Sequence, residues 1–184
     1  MNFINHFTHP FKTYSAELKL TIFLFILGIV IGLSGIADIE EIKQAILEKF
    51  ASFKDIHGVD LFWSIFLNNF QASAIAFYAG IFFMIIPFTI SLANGLVIGL
   101  VLPMSDKPIY ETILKLIPHG IFELPAIFLA IALGFSLGKW VKKEEKITYI
   151  KEKIIEGTTI LLTVIMPFLL IAAVIESVAI EIYR

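Results

Sequence analysis

The sequence contains no cysteine. It therefore cannot form a disulfide, a thiolate metal site or a cysteine nucleophile. Walker and dinucleotide-binding glycine motifs are missing too, so no nucleotide site is predicted. The formal net charge is −2 and no basic patch stands apart from the loops, so no nucleic-acid partner is predicted. Nothing in the sequence calls for a cofactor.

Charged residues are scarce, at 16% of the chain, whereas 58% of the 184 residues are hydrophobic. The mean hydropathy is +0.90. A soluble domain of this length could not bury so much apolar surface in one core. We therefore predict an all-α, polytopic membrane helix bundle, with residues 1–184 forming a single integral membrane domain in the lipid bilayer of the cell membrane.

Long uncharged stretches predict about five transmembrane spans. Residues 61–102 carry no charged side chain. As one helix they would reach ~63 Å, about two membrane thicknesses, so this stretch must fold back, and Pro87 is the expected break. The predicted spans are 18–37, 62–86, 88–102, 121–138 and 157–180. A short leading piece at 111–119 would make the fourth segment kinked or partly re-entrant, and Pro167 is expected to kink the last span.

Two loops carry opposite charge patterns, which predicts the orientation of the chain. Lysines outnumber acidic residues in 139–153, whereas acidic residues outnumber lysines in 38–60. Because lysine-rich loops stay on the cytoplasmic side, 139–153 is predicted to be cytoplasmic and 38–60 external. Alternation through five spans then places the N-terminus in the cytoplasm and the C-terminus outside.

Two segments have the pattern of amphipathic helices. The first is the N-terminal segment 1–17, in which aromatic residues recur at helical spacing, as in a helix lying on the inner leaflet. Those residues are Phe3, Phe7, Phe11 and Tyr14. The second segment, 38–54, has an apolar stripe on an otherwise charged external helix. That stripe could cap the bundle or dock a partner protein.

Small residues recur four positions apart in four of the predicted spans. Such stripes allow helix backbones to approach closely in lipid. The stripes are Gly28 and Gly32; Ala72, Ala76 and Gly80; Ser91, Gly95 and Gly99; and Ala130, Gly134 and Gly138. Among these we expect Gly80, Gly95, Gly99 and Gly134 to lie at helix crossings. One stripe left over could serve a homodimer or another homo-oligomer.

Polar side chains inside the spans form a predicted intramembrane site. Ionisable groups in hydrocarbon cost at least ~2.5–3.5 kcal/mol each on insertion scales, so they rarely occur there without a role. The predicted site comprises His119, Glu123, Asn94, Asn68, Asn69 and Glu176.

His119 and Glu123 lie one helical turn apart, and we expect them to be coupled directly or through one polar partner. Three interpretations remain open: a structural polar lock, a proton- or ion-coupled pathway, and a metal site. Zinc ordinarily takes three or four protein ligands, and the spans offer only one histidine and two carboxylates, which weakens the metal interpretation. No serine stands in a nucleophile-elbow context, so no catalytic residue is predicted.

Several of these residues stand in motifs that resemble a known family. The motifs are Asn68-Asn69, Asn94-Gly95, Pro118-His119-Gly120 and Glu123-Leu124-Pro125. Together they resemble the stage II sporulation protein M family of small integral membrane proteins, most strongly over 64–140. The resemblance implies the five-span plan. It also implies a membrane anchor, since the family's namesake in spore formers assembles two cell-wall hydrolases during engulfment.

We therefore expect a non-enzymatic scaffold or assembly factor for a membrane complex, related to the cell envelope, with other membrane or envelope proteins as partners. The alternative is a small transporter or permease-like subunit, and a metal-dependent intramembrane enzyme comes third. A scaffold predicts a dry, packed site at His119 and Glu123. A transporter predicts a water-accessible cavity joining Asn68, Asn94 and His119.

Overall fold

The computed structural model describes residues 3–35, 55–104 and 109–183, together with residues 40, 42–45 and 48, which are helical. The main helices are α1 (Phe3–Thr13), α2 (Ser15–Leu33), α3 (Gly58–Tyr78), α4 (Ile85–Met104), α5 (Ile109–Gly138), α6 (Lys146–Ile160) and α7 (Met166–Tyr183). Short 3₁₀ turns follow α3 and α5, and a π-helical segment, Leu161–Ile165, joins α6 to α7. No strand occurs among these residues, so the all-helical prediction is confirmed.

Four helical stretches in the described part of the chain are long and apolar enough to cross a membrane. They are Ser15–Leu33, Ile85–Met104, Gly120–Lys142 and Lys146–Ile182. This confirms the predicted membrane bundle. The more polar helix α3 has 21 residues, a length of ~31 Å, and it also runs from one end of the bundle to the other.

Contacts at the two ends establish the path of the chain. At one end, the Gly58 N–H at the start of α3 donates to Glu181 in the last turn of α7, at 3.0 Å. At the other end, Trp140 after α5 donates to the Ile81 carbonyl just after α3, at 2.9 Å. Lys139 pairs there with Glu17 at the start of α2. Helices α2, α3, α4, α5 and the continuous α6–α7 therefore alternate in direction between the two ends.

The break between the second and third predicted spans lies earlier than expected. The chain leaves α3 at Tyr78 and enters α4 at Ile85, and Phe83 between them has a φ of 62°. Pro87 lies buried in the first turn of α4. Because the first four N–H groups of a helix need no partner within it, a proline there begins a helix instead of breaking one.

The other prolines also lie within helices. Helix α5 runs unbroken through Pro118 and Pro125, so the predicted division into 111–119 and 121–138 does not occur. Pro167 follows the π-helical segment, in which the Met166 N–H bonds the Leu161 carbonyl five residues back. Such a segment shifts the hydrogen-bond register just before a residue that lacks its own N–H.

Helix α5 lies at the centre of the bundle. Every residue from Ala126 to Gly138 is buried or half-buried, and 129–138 are all buried. Its neighbours in this core include Leu61 and Ile65 of α3, and Leu169 of α7. The apolar half of α5 is therefore enclosed by protein on all sides.

Glycines determine how closely the helices approach. Gly28 and Gly32 of α2 face Gly95 and Gly99 of α4, and a Cβ built on Gly32 would lie only 2.7 Å from the Leu96 carbonyl oxygen. Gly80, just after α3, meets Gly134 of α5 in the same way. Helix α2 packs more extensively on α4 than on any other described helix.

Helix α1 packs its aromatic face on the bundle. Phe7 and Phe11 stack on Phe168 of α7, with ring centroids 6.0 and 6.4 Å apart. Tyr14, between α1 and α2, is only 2% exposed. Most of the predicted external helix at 38–54 lies outside the described residues.

Candidate functional site: an intramembrane carboxylate pair

Two of the predicted site residues, Glu123 and Glu176, lie on adjacent helices, α5 and α7. Helices α5 and α7 pack side by side, and next to Glu123 the ring of Phe122 contacts that of Phe168 edge to face, 6.1 Å between centroids. Both glutamates are half-buried, and their carboxyl groups lie close enough to interact electrostatically. Full ionisation of both carboxyl groups is unfavourable when they interact in a low-dielectric region.

His119 is part of the same helix, one turn before Glu123. Positions four apart on a helix lie on one face, with Cβ atoms about 5–6 Å apart. The side chain of His119 is outside the described residues, so its coupling to Glu123 stays a prediction.

Asn68 and Asn69 pair with each other on α3. The Asn68 Nδ2 donates to the Asn69 Oδ1 at 3.1 Å, and both side chains are half-buried. This hydrogen bond joins neighbours on one helix. No hydrogen bond from this pair to another helix occurs within the described residues.

Asn94 lies on the exposed face of α4, away from the carboxylate pair. Its Nδ2 donates to the Ile90 carbonyl of its own helix at 2.8 Å. The reason is the position of Gly95, which is buried against α2. Because consecutive helical residues point about 100° apart, burying Gly95 turns Asn94 outward. The structure thus separates Asn94 from Glu123 and Glu176.

A polar network at the lysine-rich end was not anticipated. Lys153 donates to the Tyr14 hydroxyl at 3.2 Å and to Glu156 at 2.7 Å, and its ammonium lies over the Tyr14 ring, 5.2 Å from the ring centroid. Burial raises the pKa of the Tyr14 hydroxyl above its ordinary value, and its hydrogen bond with Glu156 raises the pKa further. The hydroxyl therefore stays protonated and can donate. One sequence feature could have indicated this polar end of the bundle. Glu17 is an acidic residue in the first turn of a predicted membrane helix, and it pairs with Lys139.

An apolar groove of about 420 Å³ lies at the opposite end, between the start of α3 and the end of α7. Its walls include Phe62, Val174 and Val178, with Ser177 and Glu181 at its polar edge. Glu181 also approaches His57, with 3.3 Å between its Oε1 and the imidazole Nδ1. The Glu181 carboxylate thus holds the start of α3 against α7.

Metal binding has no support in the described part of the chain. No group of three or more histidine or acidic side chains is placed there to hold an ion.

Comparison with known proteins identifies the family. A family model described as stage II sporulation protein M matches residues 21–179. The chain belongs to this family. The matched region contains both Glu123 and Glu176. Tyr14, which bonds Lys153 at one end of the bundle, and Glu181, which bonds Gly58 at the other end, lie outside it.

A curated relative is similar to much of the chain. It is an uncharacterized protein from Methanocaldococcus jannaschii, 26% identical over 138 residues, which cover 70% of this chain and 75% of the relative. No solved structure matches the chain.

Proposed function

We propose that this member of the stage II sporulation protein M family is a non-enzymatic scaffold or assembly factor for a membrane complex of the cell envelope. The supporting observation is the enclosed, apolar half of α5. From 129 to 137 it carries no charged residue, and all of these side chains are buried. A transport pathway through the bundle would need polar groups along this half, whereas a scaffold needs a rigid, closed core.

The carboxylate pair then has a structural role, in which one shared proton or a polar neighbour such as His119 neutralises it. Such a lock would hold α5 against α7 near one end of the bundle. Partner binding would fall to surfaces outside the core, and the apolar stripe of 38–54 is the surface that the sequence offers.

The test asks whether partner binding depends on the apolar stripe of 38–54 or on the two glutamates. In the native host, the chain is deleted and replaced by a variant with Ile39, Ile42 and Ile46 changed to serine. We expect this variant to lose co-purification with its membrane partners while keeping its melting temperature in detergent. Glu123→Gln with Glu176→Gln should retain the partners as long as the protein folds.

The matched control changes the polar face of the same segment, with Gln44→Ser and Glu48→Gln, whose side chains are exposed. These changes should leave the partners bound. Loss of partners in the control as well as in the stripe variant, or retention in both, contradicts docking through this stripe.

A small proton-linked transporter is the second candidate, and the electrostatic interaction between Glu123 and Glu176 favours it. Purified protein in liposomes containing a pH-sensitive dye provides the test. A transporter gives proton flux that Glu123→Gln abolishes without loss of folded protein. A scaffold gives no flux above that of empty liposomes.

A further inference from the structure

Asn94 presents an amide to the lipid at the middle of a span. It is the tenth of the twenty residues of α4, so it lies about 14 Å from either end of that helix. Its side chain is exposed, and its single hydrogen bond within the described part of the chain goes to Ile90. An amide has two N–H groups and two acceptor sites, so most of its hydrogen-bonding capacity is unused.

Hydrocarbon cannot supply the missing partners. Burying an amide without hydrogen bonds costs roughly 2–7 kcal/mol, depending on the reference state, and lipid tails carry no polar atom at this depth. Whatever covers Asn94 must therefore bring a polar group to the middle of the bilayer.

The exposed face of α4 allows a close approach. Thr89 and Ala93 are small and exposed, and Val97 is 36% exposed one turn beyond Ala93. The Thr89 hydroxyl is already bonded to the Ile86 carbonyl of its own helix, at 2.9 Å. The opposite face of α4 is fully occupied by α2, where Ser91 donates to the Thr21 carbonyl at 2.8 Å. Among the described residues, the Asn94 face is the part of α4 that remains open to another helix.

We propose that this face, formed by Thr89, Ala93, Asn94 and Val97, is the interface between two copies of the chain. An amide is both donor and acceptor, so Asn94 complements itself, unlike a lysine or a carboxylate. Two copies inserted in the same direction are related by a two-fold axis along the membrane normal, which brings the two Asn94 side chains together at the same depth. This inference does not depend on the scaffold or transporter function.

Disulfide trapping in the native membrane tests the geometry, because the chain has no cysteine of its own. Val97→Cys should form a disulfide-linked dimer under mild oxidation. Ile26→Cys is the matched control, since Ile26 is 53% exposed on α2 and next to Phe25, whose carbonyl meets Gly95 at the same depth. The control should stay monomeric. Equal cross-linking of both variants, or of neither, overturns the proposal.

Asn94→Leu tests the energetics in reconstituted bilayers. It should weaken the dimer about tenfold in Kd, the equivalent of a membrane amide pair. The melting temperature of the monomer in detergent should not fall, because Asn94 bonds only its own helix in the described structure. A purified wild-type chain that remains monomeric at every protein-to-lipid ratio overturns the proposal and assigns the face to a different membrane protein. An unchanged Kd for Asn94→Leu overturns it too.

Discussion

At the scale of single residues, two of the three glycines of α5, Gly120 and Gly134, have opposite surroundings. A Cβ on Gly134 would lie 2.9 Å from Pro87 and closer still to the Ala76 carbonyl oxygen. A Cβ on Gly120 would meet no described atom nearer than Leu124, at 3.9 Å. The same substitution therefore has opposite consequences at two positions about half a helix length apart.

We predict that Gly134→Ala lowers the free energy of unfolding by about 1–3 kcal/mol, because the backbone at Ala76 and the ring of Pro87 must move. Gly120→Ala should leave stability unchanged or raise it by up to about 1 kcal/mol, since alanine is the better helix former. Thermal unfolding in detergent measures both. Equal tolerance of the two changes would mean that the α3–α5 crossing is not close.

The carboxylate pair makes a second prediction at this scale. Glu123→Gln or Glu176→Gln alone removes the electrostatic interaction between the two side chains, so the double variant should differ from the sum of the singles by about 0.5–3 kcal/mol. Unfolding measurements on the four proteins give this coupling. Strict additivity would show that the two groups do not sense each other. The same cycle with His119→Ala tests the predicted coupling of His119 to Glu123.

At the scale of helices, the sequence predicted which segments form membrane helices but not where each helix begins and ends. Uncharged runs predicted the membrane helices because lipid requires them. Pro87 misled because a proline is tolerated in the first turn of a helix, so it lies at the start of α4 and does not interrupt a longer helix. The outward position of Asn94 could not be predicted, because it follows from the contact of Gly95 with α2 across the bundle.

The attachment of α1 to the bundle gives a third prediction. Tyr14→Phe removes the hydroxyl that bonds Lys153 and Glu156 but keeps the buried ring. We expect the free energy of unfolding to fall by about 1–3 kcal/mol, because these hydrogen bonds involve charged groups. Tyr149→Phe is the comparison, since its hydroxyl donates to the neutral Ser136 carbonyl at 2.9 Å. Tyr149→Phe should lower the free energy of unfolding by less than Tyr14→Phe does. Equal losses of stability in the two variants would show that the charged network adds no stability.

At the scale of the whole molecule, the two ends of the bundle differ in charge. Thr148 is exposed at the lysine-rich end, and Asp55 is exposed before α3 at the other end. The lysine bias predicts that the first end is cytoplasmic.

We therefore predict that an impermeant thiol reagent applied to intact cells labels Asp55→Cys and spares Thr148→Cys. Permeabilised cells should show labelling of both, which controls for accessibility. The reverse pattern in intact cells would invert the orientation of every helix.

The pairing of α2 with α4 has a consequence for biosynthesis. Helix α3 separates them in the chain, so the groove at Gly28 and Gly32 stays unfilled until α4 has left the ribosome. A nascent chain that stops before residue 85 therefore holds its first membrane helix without a partner. We expect such chains to be retained by the insertion machinery or degraded, so that stable residence in the bilayer begins only once α4 has been made.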